Sequence, residues 1–141
     1  MIDHVHIDSL LPAEMAQQAE NVGLKKANLD FWTLFALSIL AGAFIGLGAV
    51  FATTVSTGGS ALPYGINRLV TGLSFCLGLI LVIVGGAELF TGNTLIIMGF
   101  MSGKIPLSKL MRNWGIVYLG NLVGSVLTAV AMFFTCLLYT S

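Results

Sequence analysis

The sequence predicts an all-α membrane protein whose second transmembrane helix is broken. Three observations carry that expectation. Of 141 residues, 57% are hydrophobic and only 9% charged, with a mean hydropathy of +0.97; a soluble domain carries about 25% charged residues. The charges also leave long gaps, with none between Asp30 and Arg68, between Arg68 and Glu88, or after Arg112. Gaps of this kind match the ~20 apolar residues that cross a bilayer. Finally, "GGAELFTGNTL" (Gly85–Leu95) sets a carboxylate, polar side chains and three glycines inside an apolar region.

Residues 1–30 read as a separate N-terminal region. Ser9 suits an N-cap, with Pro12 in the first helical turn. Leu11, Met15, Ala19 and Val22 recur at helical spacing among Glu14, Gln17, Gln18 and Glu20, and Gly23 reads as a stop. This is an amphipathic helix, lying either on the membrane surface or against the body of the protein. The acidic residues Asp3, Asp8, Glu14, Glu20 and Asp30 are the wrong sign for a secretory signal.

The first span is expected over Phe31–Val55, followed by a glycine- and proline-containing loop at Ser56–Asn67. A second apolar stretch covers Arg68–Gly86. Asn93–Met101 then has the length of roughly half a hydrocarbon core at about 1.5 Å per residue. "SGKIPLSKLMRN" reads as a polar connection, and the third span as Trp114 to the end, with residues 31–135 holding all three spans. Lys25, Lys26, Lys104, Lys109 and Arg112 fall on one side and Arg68 on the other, so the N-terminus is expected in the cytoplasm. Three spans with opposite ends have the form of one half of an inverted-repeat transporter. Gly42 with Gly46, and Gly120 with Gly124, form GxxxG pairs suited to close helix contact.

At the break, Gly85, Gly86 and Gly92 weaken helix propagation. Backbone groups freed at bilayer depth need partners, because lipid offers none. Thr91 or Asn93 can cap a new half-helix, and Glu88 can accept bonds from freed amides. A carboxylate at this depth needs such a partner or a proton. Residue chemistry leaves three readings open: a span ending in the headgroups, a structural kink, or a substrate route.

The chain resembles the formate/nitrite transporter family. The resemblance rests on "LVTGLSFCLGLILVIVGGAELFTGN" (Leu69–Asn93) and "NWGIVYLGNLVGS" (Asn113–Ser125), and less specifically on "LLPAEMAQQAE" (Leu10–Glu20). It implies an aquaporin-like helical bundle, six spans per protomer in two inverted halves, a homopentamer, and a pore in each protomer for small monovalent anions, formate first, with nitrite or hydrosulfide as alternatives. It implies an outer apolar constriction at Phe75, an inner one at Leu79 and Leu89 with Phe90 beside them, and a pore-facing hydroxyl on Thr91. Glu88, with Gly92 and Asn93, would stabilise the loop rather than bind substrate. The setting implied is a bacterial or archaeal cytoplasmic membrane. The family's pore histidine and pore lysine belong to spans beyond this chain's three, so a fragment of the protomer is expected. The last six residues, "CLLYTS" (136–141), resemble a translated sequencing-library adaptor and are expected to be a non-native tail.

Other classes fit less well. Zero net charge gives no electrostatic footprint for nucleic acid. Cys76 and Cys136 sit in apolar runs as small hydrophobes, and no metal or cofactor is expected. A haem-bearing membrane anchor of a redox enzyme needs axial ligands within the spans, whereas His4 and His6 both precede the first. The Asn-Pro-Ala signature of water and glycerol pores does not occur.

Overall fold

The computed structural model describes residues 12–57 and 62–139, with side chains through residue 135. His4, His6, Ser9 and Leu11 lie outside the described residues, as do the side chains of the 136–141 tail. Among the described residues six helices occur in chain order: α1 (Pro12–Ala27), α2 (Phe31–Thr57), α3 (Tyr64–Val84), α4 (Phe90–Asn93), α5 (Ile96–Met101) and α6 (Leu107–Tyr139). Three of them, α2, α3 and α6, are long and apolar enough to cross a membrane. From Phe90 to Met101, α4, α5 and the two residues between them reach about 18 Å at 1.5 Å per residue, a half-span.

Helix α2 starts where Asp30 caps it. The Thr33 amide donates to Asp30 Oδ2 at 2.9 Å, which holds that carboxyl below its usual range. From there α2 runs between the other two spans. Its contacts with α6 pair Ser38 with Gly120, Gly42 with Asn121, and Gly46 with Thr128, so α2 and α6 run parallel. A Cβ on Gly42 would fall onto the Asn121 backbone, and one on Gly124 onto the Ile39 carbonyl. Both GxxxG pairs thus lie in one seam. On its other side α2 meets α3 antiparallel, through a crossing that sequence spacing did not single out: a Cβ on Gly48 would sit 2.9 Å from Gly78 Cα.

Three expectations change. Helix α1 does not stop at Gly23 but runs on to Ala27. Gly23 is buried because a Cβ there would lie 3.1 Å from the Leu95 carbonyl oxygen, so it serves contact rather than termination. Met15, assigned to the apolar stripe, is exposed; the packed face is Gly23, Leu24 and Ala27, against Ile96, Ile105 and Leu110. The third span begins at Leu107, not Trp114, because the polar residues of the expected connector form the first turns of α6 just after Pro106.

These turns gather the basic residues around α1. Lys104 pairs with Glu20 (2.9 Å), Lys109 donates to Asn28 Oδ1 (2.7 Å), and Arg112 donates to the Leu29 carbonyl (3.3 Å). Arg68 stands near the far end of α3.

Candidate functional site

Between α3 and α4 the chain leaves helical geometry for five residues, Gly85–Leu89. Helix α3 closes in a Schellman arrangement, with Gly86 N–H donating to Ile83 O (3.3 Å) and Ala87 N–H to Val82 O (3.0 Å). Gly86 takes φ +61°, a left-handed conformation that favours glycine. Ala87 and Glu88, the next two residues, are buried.

The backbone groups released here find partners on both neighbouring spans. Glu88 N–H donates across to Leu37 O on α2 (3.1 Å). One side chain of α6 serves three more groups. Asn121 Oδ1 accepts from Phe90 N–H (2.9 Å), while its Nδ2 donates to Glu88 O (3.0 Å) and Ser38 O (2.9 Å). Leu89 occupies the N-cap position of α4 and supplies no side-chain bond. The cap expected from Thr91 or Asn93 therefore comes from Asn121, since an amide on a packed neighbour reaches the first free N–H of α4. Gly92 does not interrupt the new helix, which runs through it to Asn93.

The Glu88 carboxylate also has a different partner from the one expected. Its Oε2 accepts from Lys26 Nζ of α1 at 2.7 Å, rather than from backbone amides. An ammonium reaching in from α1 is a stronger partner than an amide. Lys26 Nζ donates in addition to Asn93 Oδ1 (3.1 Å). Asn93 is fully buried; its Nδ2 donates to Asn113 Oδ1 (2.9 Å) and its carbonyl accepts from Trp114 Nε1 (3.0 Å). Asn113 Nδ2 closes the network on the Lys26 carbonyl (3.0 Å). The break is thereby tied to α1, α2 and α6 together.

Beside it lies a groove of about 340 Å³. Leu79, Val82 and Ile83 of α3 line one side, and Leu89, Thr91 and Gly92 the other, with Lys26 and Glu88 also reaching it. So Leu79, Leu89, Thr91, Gly92 and Glu88, picked from sequence, share one concavity. Phe90 is not among its lining residues: its ring packs on α6 against Trp114 (6.0 Å) and Tyr118 (5.9 Å). Phe75 is half exposed and lies one turn along α3 from Leu79, outside the groove. Lys26, Asn113, Trp114 and Asn121 were missed as site residues, although the last three lie in the stretch Asn113–Ser125 that carries the family resemblance.

A formate/nitrite transporter family model matches residues 13–141. The chain belongs to this family. Among curated relatives it is 46% identical to the formate channel FocA of Escherichia coli (strain K12), over 89% of this chain and 44% of that protein. It is 38% identical to the nitrite transporter NirC of Salmonella typhimurium, over 81% of this chain and 41% of that protein. Among solved structures, an FNT family ion channel superposes with a TM-score of 0.74 at 31% identity, over 87% of this chain and 50% of that one. A pentameric formate channel with formate bound superposes at 0.69 and 48% identity, over 74% and 41%. The chain thus spans about half the length of the relatives it matches. Membership of a membrane channel family, with three apolar spans, makes it an integral membrane protein.

Proposed function

We propose that this chain forms one wall of a transmembrane passage for small monovalent anions, formate foremost. The supporting observation is the groove, where apolar Leu79 and Leu89 and the Thr91 side chain meet beside a break whose backbone is held by other residues. An anion crossing apolar walls sheds water, and the low dielectric penalises its charge. A hydroxyl that the fold does not need for itself can offset part of that penalty, by about 1.5–3 kcal/mol for a bond to a charged group.

In this reading Leu79 and Leu89 narrow the inner part of the path, Phe75 narrows it further along α3, and Thr91 donates to the anion. Glu88 and Asn93 brace the loop, and Gly92 keeps the wall open, since a Cβ there would meet nothing within 4 Å. Phe90 acts instead as a clamp on α6. The far wall comes from the length by which the relatives exceed this chain, and the complete protein assembles as a pentamer. The basic residues around α1 favour that end in the cytoplasm. Formate is preferred over nitrite because identity is higher to the formate channel than to the nitrite transporter, 46% against 38%.

The complete protein carrying these residues, reconstituted in liposomes, should pass formate faster than protein-free vesicles. Leu89→Ala should raise that flux or weaken discrimination against larger carboxylates. No formate flux above the lipid background would sink the reading.

A further inference from the structure

We propose that Arg68 collects anions at the far mouth of the passage; this rests on the reading of the groove as an anion path. The α3 residues Asn67, Thr71, Ser74, Gly78 and Val82 form its packed or part-packed row against α2. At about 100° per residue, Leu79 and Ile83 fall on the flank beside that row, and both line the groove. Arg68 precedes Leu79 by eleven positions, which brings it within about 20° of Leu79 around the helix. It therefore stands on the groove-lining flank, about 16 Å along α3 from Leu79. Gly72 and Phe75 lie between them on the same flank. The opposite flank, with Val70, Leu73, Leu77, Ile80 and Val84, is aliphatic throughout and suits lipid.

Two cations, Lys26 of α1 and Arg68 of α3, differ in what neutralises them. Lys26, at the groove, is paired with the Glu88 carboxylate. Arg68 Nε donates to the neutral Tyr64 hydroxyl at 3.2 Å, with the guanidinium 5.4 Å from the Tyr64 ring centre. Tyr64 fixes the orientation of the fork and leaves both terminal NH₂ groups for a ligand. Among the described residues no carboxylate pairs with Arg68, so its positive charge stands uncompensated beside the path. A fixed cation at a pore mouth raises the local concentration of small anions, and salt screens the effect.

Formate uptake by the complete protein in zwitterionic liposomes tests this. Wild-type uptake should fall as ionic strength rises. Arg68→Gln should lower uptake about three- to tenfold at low ionic strength and flatten the salt dependence. Arg68→Lys should keep most of the rate and the salt dependence, which a purely structural role would not require. If Arg68→Gln matches wild type in both, Arg68 serves lipid headgroups and the inference falls alone. If wild type passes no formate, the reading of the groove falls and takes this inference with it.

Discussion

Helices α2 and α6 are joined in two ways within a few turns of each other. Along the seam, Gly42, Gly46, Gly120 and Gly124 let backbone meet backbone or a small side chain by having no side chain of their own. At the break, one asparagine between those glycines serves three backbone groups on two segments. The close approach is what gives Asn121 its reach: its short amide meets Ser38 O only because Gly42 admits the Asn121 backbone. A dry seam thus positions a polar clasp. Lipid supplies neither hydrophobic drive between helices nor partners for free amides, so each region answers a different one of those two deficits.

Breaking the seam should have the largest effect. Gly124→Leu drives a side chain into the Ile39 carbonyl. Backbone contact leaves nothing flexible to yield, so the loss should reach at least about 3 kcal/mol, the upper end for overpacking. Size-exclusion chromatography of detergent-solubilised protein should show little folded material; a wild-type profile and melting temperature would show that the seam is loose. Removing the clasp comes next. Asn121→Leu keeps the volume close but strands Phe90 N–H and Glu88 O, for a loss of about 2–4 kcal/mol. Asn121→Asp keeps an acceptor for Phe90 N–H but sets its other oxygen against the Glu88 and Ser38 carbonyls, and a carboxylate at this depth needs a partner or a proton, so its melting temperature should fall no less than that of Asn121→Leu.

The Lys26–Glu88 pair sharpens the comparison, because it clasps the break from α1 instead of α6. Glu88→Leu leaves an ammonium without its carboxylate in a largely buried place. Lys26 keeps a fifth of its side chain exposed, so water relieves part of the penalty and about 1–3 kcal/mol is expected. Adding Lys26→Met should recover part of the loss, as an apolar pair replaces a lone charge. If the double variant melts no higher than Glu88→Leu, the pair does not act as a unit.

How far each region was legible depends on where its partners lie. The seam could be read because both halves of each GxxxG are four residues apart and point one way on a helix. The three spans showed for the same local reason, as uninterrupted apolar length. The clasp did not show: Phe90 N–H and Asn121 are 31 positions apart, and no local rule connects an amide to an asparagine on another span. Likewise Lys26 reads as an interfacial cation until α1 is seen to continue past Gly23 and carry it to Glu88, 62 positions on. Thr91 and Asn93 looked like caps because the rule for caps is local, and at this break the cap is tertiary. The groove lay between these cases. Leu79, Leu89 and Thr91 share it, whereas Phe90, adjacent in sequence to both Leu89 and Thr91, faces the other way because α4 begins there and turns its ring onto α6.

The smallest change separates what holds the break from what the break presents. Thr91 is exposed in the groove, and its carbonyl, not its hydroxyl, takes part in local structure by accepting from Thr94 Oγ1 at 2.6 Å. Thr91→Val keeps the shape and removes one donor, so folded yield and melting temperature should stay at wild-type values. Formate flux through the complete protein should fall by about 1.5–3 kcal/mol in effective barrier, the worth of one hydrogen bond to a charged group. On that scale the drop is about ten- to hundredfold, since each 1.36 kcal/mol is tenfold in rate. A flux equal to wild type would mean that the hydroxyl faces no ligand. A drop in melting temperature as large as that of Asn121→Leu would assign Thr91 to the clasp, and the division between holding and presenting would have to be redrawn.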